Sequence, residues 1–283
     1  MGQPASSPAP AFDVDVLLDT AVASVSDVRC RGECRHRSAE ECAAATHLVF
    51  PYRGVYLRHV GETQAVADAN HMLPFNAGEG YRVSHPLDGG DANLSIRLDD
   101  SLLRELASHA LLRRDAALGF RHHALRIDAR AQALVALLRH ALRHERIETL
   151  EAEGLVLTLV SRSLGPRTAR TPGATRARQR LVDRAKLLLA SDPGRRWTLA
   201  GIAAEVGGSP VYLTQAFRQV EGMPLYRYQL QLRLARALDL LERDIDLSSL
   251  AQDLGFSSHS HFAAAFRQAY GCSPSAFREV ATR

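Results

Sequence analysis

The chain has 283 residues, a formal net charge of +4 and a hydrophobic fraction of 46%. This length and hydrophobic content suffice for one large domain or two ordinary ones with separate cores, and they exclude a mainly disordered protein. No segment has the roughly 18 consecutive apolar residues that a membrane helix needs. Residues 1–12 have no basic or apolar export signal and predict a flexible tail. Four cysteines are too few for a dense disulfide framework, so we expect a cytoplasmic protein.

Arginine supplies 34 of the 35 basic residues, and Lys186 is the single lysine. Codon preference can explain this bias, but the position of the charge is informative. Residues 175–283 contain 15 basic and 10 acidic residues, whereas residues 1–174 contain 20 and 21. Because a guanidinium pairs with a phosphate through two hydrogen bonds, a basic C-terminal third joined to a neutral remainder favours a nucleic-acid-binding module.

The N-terminal half, residues 13–164, begins with a strand pattern and continues with a helix pattern. Short apolar runs at 46–50, 55–60 and 81–84 are separated by turn residues, which predicts antiparallel strands in a sandwich or small barrel. From Ser101 onwards leucines recur at intervals of three and four residues, which predicts amphipathic helices. This half therefore predicts an α+β fold.

Residues 165–177 predict a linker, and the remainder of the chain predicts helices only. The linker has two prolines, two glycines and no large apolar side chain. Beyond it, helices are predicted at 178–190, 199–205, 209–219, 224–242, 247–253, 258–269 and 274–280. Residues 178–283 are therefore predicted to form an all-α domain.

An internal repeat lies in this region, with one copy at 199–224 and the other at 247–274. Each copy has a short helix with an apolar face, a glycine, a capping serine and a second helix with apolar residues four apart. This order predicts a helix-turn-helix, because glycine can take the positive φ of a tight turn and serine can cap the second helix. A connecting helix of about 19 residues can space the two second helices toward successive major grooves, which lie about 34 Å apart.

The segment LAQDLGFSSHSHFAAAFRQAYGCSPSAFR at 250–278 resembles the signature of the AraC/XylS transcriptional regulators, and the resemblance extends over about 178–280. It implies a DNA-binding domain of seven helices, a bipartite promoter site on double-stranded DNA and, most often, activation through RNA polymerase. The implied base-reading residues are Val211, Thr214 and Gln215 in the first copy and His259, Ser260, Ala263 and Ala264 in the second, with Arg218 and Arg267 near phosphates. Ala263 and Ala264 depart from the polar residues common in the family, and they can offer only apolar contact to a thymine methyl.

The same resemblance implies that the N-terminal half holds a cupin-like barrel that binds an effector of unknown identity, followed by helices that form a homodimer contact. The leading interpretation is a ligand-, metal- or redox-responsive transcription factor without catalytic activity. The alternative is a regulator related to DNA-repair methyltransferases, in which zinc holds a reactive cysteine. That site needs four cysteines, and this half of the chain has three.

Four potential soft metal ligands lie close together in the sequence: Cys30, Cys34, His36 and Cys42. These residue types can bind Zn²⁺, although their spacing matches no standard zinc finger. Neighbouring arginines could instead favour a reactive thiolate that senses oxidants, or the cysteines could be inert. His85 precedes Pro86 and a turn at 88–91, where it either ligates a metal or hydrogen-bonds the turn, and the hydrogen bond is the stronger expectation.

Overall fold

A computed structural model describes residues 12–32, 34–114, 117–165, 175–243 and 245–282. Its strands are β1 (Phe12–Asp19), β2 (Ala23–Cys30), β3 (Glu41–Cys42), β4 (His47–Gly54), β5 (Tyr56–Val60), β6 (Thr63–Ala67), β7 (His71–Phe75), β8 (Gly80–Ser84), β9 (Asp91–Leu98) and β10 (Leu125–Arg126). Its helices are α1 (Asp100–Leu106), α2 (Ala129–Arg143), α3 (Thr149–Ser163), α4 (Arg176–Ser191), α5 (Leu199–Val206), α6 (Pro210–Glu221), α7 (Leu225–Leu240), α8 (Leu247–Asp253), α9 (His259–Tyr270) and α10 (Pro274–Thr282). Within these ranges no helix has the length and apolar character needed to cross a bilayer.

The strands form two antiparallel sheets. Six strands are ordered β1-β2-β9-β4-β7-β10, and four are ordered β3-β8-β5-β6. Val49 and Phe75 of the larger sheet share an apolar cluster with Tyr56 and Val83 of the smaller one, so the two sheets enclose a common interior. The three predicted strand runs correspond to β4, β5 and β8. The prediction of an antiparallel β-domain within an α+β fold is confirmed.

Two element boundaries differ slightly from those that the sequence predicts. β1 begins at Phe12, the last residue of the predicted tail, because Phe12 already pairs with β2. α4 begins at Arg176, inside the predicted linker 165–177, where the Thr175 side chain caps its first turn. The rest of the predicted tail and residues 166–174 lie outside the described residues.

Helices α2 and α3 pack with the six-stranded sheet in the main core of the N-terminal domain. Phe50 and Ile96 of the sheet lie in one buried cluster with Leu138 of α2 and Val156 of α3. All four side chains are fully buried or nearly so. The change from strand to helix periodicity after Ser101 therefore marks a real change of element type.

The C-terminal domain consists of seven helices, α4–α10, in the part of this region that the structure describes. The first helix-turn-helix has its core around Phe217 and Tyr228. The second has its core around Leu238, Phe262 and Phe266. Since Tyr228 and Leu238 both belong to α7, this helix is shared by the two cores and joins them. Its 16 residues span about 24 Å.

Helix α2 also packs against the C-terminal domain. Ala136 is buried in the second helix-turn-helix core, and Leu137 packs against the same core. One side of α2 therefore contacts the N-terminal sheet and another contacts α7 and α9. The homodimer contact implied for the helices after Ser101 stays a prediction, and α2 is engaged within its own chain.

Candidate nucleic-acid interface

The two helix-turn-helix units repeat each other in local geometry. Gly207 caps the C-terminal end of α5, and Gly255 lies just beyond the C-terminal end of α8. Their φ values of 72° and 76° lie in the left-handed region that favours glycine. Ser209 caps α6 by accepting a hydrogen bond from the Tyr212 amide at 3.1 Å. Ser258 caps α9 in the same way, with the His261 amide at 3.1 Å. The turn glycine and the capping serine predicted from the repeat are thus present in both units, two residues apart in the first and three apart in the second.

These two glycines allow a matched test of the turns. Gly207→Ala should cost about 1–2 kcal/mol, because an L-residue is strained at this φ while the added methyl meets no atom within 4 Å. Gly255→Ala should cost more, since its Cβ would lie 2.1 Å from the Gly194 carbonyl oxygen. Urea unfolding midpoints of the two variants would measure the difference. Equal losses would contradict this account of the second turn.

Helices α6 and α9 each bury one face and expose the other. Leu213 and Phe217 of α6, and Phe262 and Phe266 of α9, are fully buried. The predicted DNA-facing residues lie on the opposite faces: Val211, Thr214, Gln215, Arg218, His259, Ser260, Ala264 and Arg267 are exposed, and Ala263 is half-buried. Counted from the capping serines, positions +2, +5, +6 and +9 are equivalent in the two helices. The structure therefore places each predicted set on one continuous face.

Arg218 and Arg267 occupy the last turn of their helices, nine residues after the capping serine. Both are exposed, and neither guanidinium has an ion-pair partner in the described ranges. A cation in the last turn is favourable by about 0.3–1 kcal/mol through the helix dipole, which is a purely structural use. An exposed guanidinium without a protein carboxylate can also bind a phosphate.

Tyr212 and His261 share these faces but were missed by the sequence analysis. Both lie three residues after the capping serine and both are exposed. His261 packs edge-on against Phe256, and its Nδ1 is 3.0 Å from the Ser257 hydroxyl. The guanidinium of Arg178 lies 5.9 Å from the centre of the Tyr212 ring. An alignment of the two repeat copies at their capping serines would have identified this pair from the sequence.

The side chain of Thr214 is partly committed to its own helix. Its hydroxyl donates a hydrogen bond to the Pro210 carbonyl at 2.9 Å. Toward DNA it can therefore accept a hydrogen bond or present its methyl group, whereas Gln215 keeps an exposed amide with both donor and acceptor atoms. Of the exposed side chains that the sequence predicts to face DNA on α6, Gln215 is the one best able to form two hydrogen bonds with a base edge.

The predicted metal-ligand set of Cys30, Cys34, His36 and Cys42 does not come together as one group. Among the described residues, the group of potential ligand atoms within 4.8 Å of one another is Cys30, His85 and Asp91. All four cysteines of the chain are free thiols. The arrangement expected for a zinc-held methyl-accepting cysteine is therefore not formed by the described cysteines.

His85 hydrogen-bonds the end of the 88–91 turn, as the sequence predicts. Its Nε2 is 2.6 Å from Asp91 Oδ2, and both side chains are buried. This hydrogen bond and the nearby sulfur of Cys30 raise the pKa of His85 to about 10.

A first buried polar cluster joins the N-terminal domain to the first helix-turn-helix. Asp68 and His71 come from the β-domain, and Lys186, Glu221 and Tyr228 come from α4, α6 and α7. His71 Nδ1 is 2.8 Å from Asp68 Oδ1, and His71 Nε2 is 3.3 Å from Glu221 Oε2. Lys186 Nζ donates to Glu221 Oε1 at 3.1 Å. The Tyr228 hydroxyl donates to Asp68.

The charges of this cluster stabilise one another. Burial alone raises the pKa of Glu221, but the Lys186 ammonium and His71 outweigh it and hold the pKa well below its usual range. Burial and Lys186 lower the pKa of His71, but Asp68 and Glu221 outweigh them and raise it. Folding therefore keeps the carboxylates charged and favours a charged imidazole.

A second buried polar cluster holds the C-terminal end of α7. Arg53 of β4 makes a two-pronged contact to Asp239, with its Nε and one Nη each 3.0 Å from a carboxylate oxygen. Arg139 of α2 donates to Asp239 at 3.3 Å and also pairs with Glu242. Arg236 pairs with Asp239 from the same helix. The helix shared by both helix-turn-helix units is thus tied to the N-terminal domain.

Comparison with known proteins agrees with this geometry. A family model described as a helix-turn-helix domain matches residues 202–279. The HTH-type transcriptional activator RhaR of Klebsiella pneumoniae is 34% identical over 109 residues, so the chain spans 38% of the length of that relative. The probable transcriptional regulator LumQ of Photobacterium leiognathi is 29% identical over 161 residues, which cover 54% of this chain and 61% of LumQ.

A solved structure from Chromobacterium violaceum, described as a transcriptional regulator with an AraC-type DNA-binding domain, is 27% identical over 38% of this chain and 98% of that chain, with a TM-score of 0.36. The family-model match at residues 202–279 contains both glycine turns, both capping serines and both exposed helix faces. The C-terminal domain of this chain is therefore a helix-turn-helix domain similar to those of known transcriptional regulators.

Proposed function

We propose that this protein is a sequence-specific DNA-binding transcriptional regulator, and that it acts as an activator in contact with RNA polymerase. The observation that carries the proposal is the pair of equivalent exposed faces on α6 and α9. Helix α7 packs in the cores of both helix-turn-helix units and joins them. The protein's partners would be double-stranded promoter DNA and a second copy of the chain. We assign it no catalytic reaction and expect it in the cytoplasm.

Control by a signal would operate through the N-terminal domain. A cavity of about 270 Å³ lies between the two sheets, lined in part by Phe75, Tyr81 and His47. β4, which contributes His47 at one end, contributes Arg53 and its contact to Asp239 at the other. A ligand that shifts β4 can therefore change how α7 is held, and through α7 the relative placement of α6 and α9.

Gln215→Ala should lose sequence discrimination. We expect binding to the preferred DNA to weaken by about 1–3 kcal/mol while binding to random DNA changes little, because an amide that reads a base edge is lost. The preferred DNA would be selected from a random pool with the wild-type protein, and affinities measured at several salt concentrations. Gln252→Ala, an exposed glutamine on α8, is the matched control and should leave both affinities unchanged.

Arg218→Ala should instead weaken binding to both DNAs. One lost phosphate contact should reduce the slope of log K against log salt by about 0.9. Equal losses on preferred and random DNA for Gln215→Ala would contradict its base-reading role. An unchanged salt slope for Arg218→Ala would show that this arginine serves only its own helix.

A further inference from the structure

We propose that Cys30, His85 and Asp91 form a binding site for a zinc-like divalent metal ion, at the wall of the cavity inside the β-domain. The three potential ligand atoms lie within 4.8 Å of one another. All three residues also line the 270 Å³ cavity between the sheets. The proposal does not depend on DNA binding by the C-terminal domain.

The sheet register brings two of the ligands together. Cys30 is the last residue of β2 and Asp91 the first of β9, and the two residues pair directly across the strands. Directly opposed residues of an antiparallel pair project to the same face of the sheet. His85 follows β8 of the other sheet, and its backbone amide donates to the Cys34 carbonyl at 2.7 Å. The ligands therefore come from both sheets and meet inside the domain.

Close backbone packing holds the ends of these strands in place. Gly90 has a φ of 66°, and a Cβ there would lie 2.1 Å from the Cys30 carbonyl oxygen. Gly54 has a φ of 72°, and a Cβ there would lie 2.1 Å from the Gly90 carbonyl oxygen. No side chain fits at either position, so the segments that contain Cys30 and Asp91 are in direct backbone contact.

Neighbouring groups orient the ligands in the way that metal sites require. The Gly32 amide donates to the Cys30 sulfur at 3.4 Å. The Asn93 amide donates to the other carboxylate oxygen of Asp91. His85 is only 3% exposed, and its Nδ1 has no hydrogen-bond partner among the described residues. Nε2, which faces the Asp91 carboxylate, would bind the metal, and Nδ1 would keep the ring proton.

The donor set selects the class of metal. A thiolate, an imidazole and a carboxylate suit Zn²⁺ or a similar borderline ion, and they do not suit Ca²⁺ or Mg²⁺, which prefer oxygen ligands. In a tetrahedral zinc site the ligand atoms lie roughly 3.3–3.8 Å apart, so His85 and Asp91 need to separate by about 1 Å from their present hydrogen bond. The metal would take the place of the shared proton, and that proton and the thiol proton would pass to solvent.

Three protein ligands leave a fourth coordination position open. This position would face the cavity, where a water molecule or a small ligand with an anionic or thiol group could complete the site. The structure thus pairs Cys30 with residues about 55 and 61 positions away rather than with its sequence neighbours Cys34 and Cys42.

The test is metal binding by the full-length chain. Co²⁺ titration of the metal-free protein should give a thiolate-to-metal absorption band that saturates near one equivalent, and Zn²⁺ should displace it. Cys30→Ser, His85→Gln and Asp91→Asn should each weaken Zn²⁺ binding by at least about tenfold. Cys34→Ser and Cys42→Ser are the matched controls and should bind as the wild type does.

A second measurement needs no substitution. Saturating Zn²⁺ should slow alkylation of the Cys30 thiol by iodoacetamide at least about tenfold, while Cys34 and Cys42 of the same molecules react as before; mass spectrometry of peptides would quantify each site. Absence of a thiolate band in the wild type, or a band lost equally in Cys34→Ser and Cys42→Ser, would overturn the proposal. Protection of all three cysteines together would overturn it as well, in favour of the set that is clustered in sequence.

Discussion

Replacing Asp239 with asparagine should lower the free energy of unfolding by about 3–5 kcal/mol. Asp239 is buried, and its carboxylate is shared by Arg53, Arg139 and Arg236. The amide has nearly the same shape but no charge, so three guanidinium groups would face each other with Glu242 and Asp27 as neighbouring carboxylates. The loss should appear as a lower urea midpoint and as faster hydrogen exchange in α7.

An exposed ion pair across the same pair of domains provides the control. Glu62 pairs with Arg176 at 3.0 Å, and both side chains are about four-fifths exposed. Glu62→Gln should cost less than about 1 kcal/mol, because water solvates each partner when the other is removed. If Asp239→Asn costs no more than Glu62→Gln, the second buried cluster does not hold the domains together.

Glu221→Gln should have an effect of similar size in the first buried cluster. The substitution removes the carboxylate that pairs with Lys186 and leaves His71 with Asp68 as its carboxylate partner, and we expect a loss of about 3–5 kcal/mol. The double variant Lys186→Met with Glu221→Gln should be less destabilised than the sum of the two single variants. Additive losses would contradict a direct interaction between the two side chains.

The same cluster predicts how stability depends on pH. Because the pKa of Glu221 is lower in the folded chain than its ordinary value of 4.5, its contribution is present above pH 4.5 and is lost as pH falls further. The raised pKa of His71 has the opposite sign: its contribution is present below pH 6.5 and is lost as pH rises through the folded value. Glu221→Gln should therefore flatten the acid limb of a plot of urea midpoint against pH. An unchanged acid limb would assign that limb to other carboxylates.

Most of the C-terminal domain could be predicted from sequence because its signals are local. A capping serine accepts a hydrogen bond from an amide three residues later, and a turn glycine needs only its own φ. These contacts join residues that are close in the sequence, so they can be predicted from it. The predicted helices differ from the observed ones by about two residues at their ends. The exposed faces of α6 and α9 followed from the spacing of their buried apolar residues.

The metal-ligand prediction in the N-terminal domain depended instead on closeness in sequence. Cys30, Cys34 and Cys42 lie within thirteen residues, yet the pairing of β2 with β9 sets Cys30 opposite Asp91. Strand register is decided by which apolar faces must be buried and by turn geometry, and neither is visible in a cysteine count. His85 follows β8, which belongs to the facing sheet, and this position brings His85 next to Cys30 and Asp91.

The sequence by itself determined the order of strands and helices and the repeated helix-turn-helix of the C-terminal domain. Only the tertiary structure showed that the single lysine, Lys186, is buried against Glu221, and that Asp239 ties α7 to the β-domain. In the sequence these residues are ordinary charges on helices. These charges are stabilised in the interior by partners distant in sequence: 35 positions separate Lys186 from Glu221, and 186 separate Arg53 from Asp239. The contact between Arg53 and Asp239 depends on how the two domains pack.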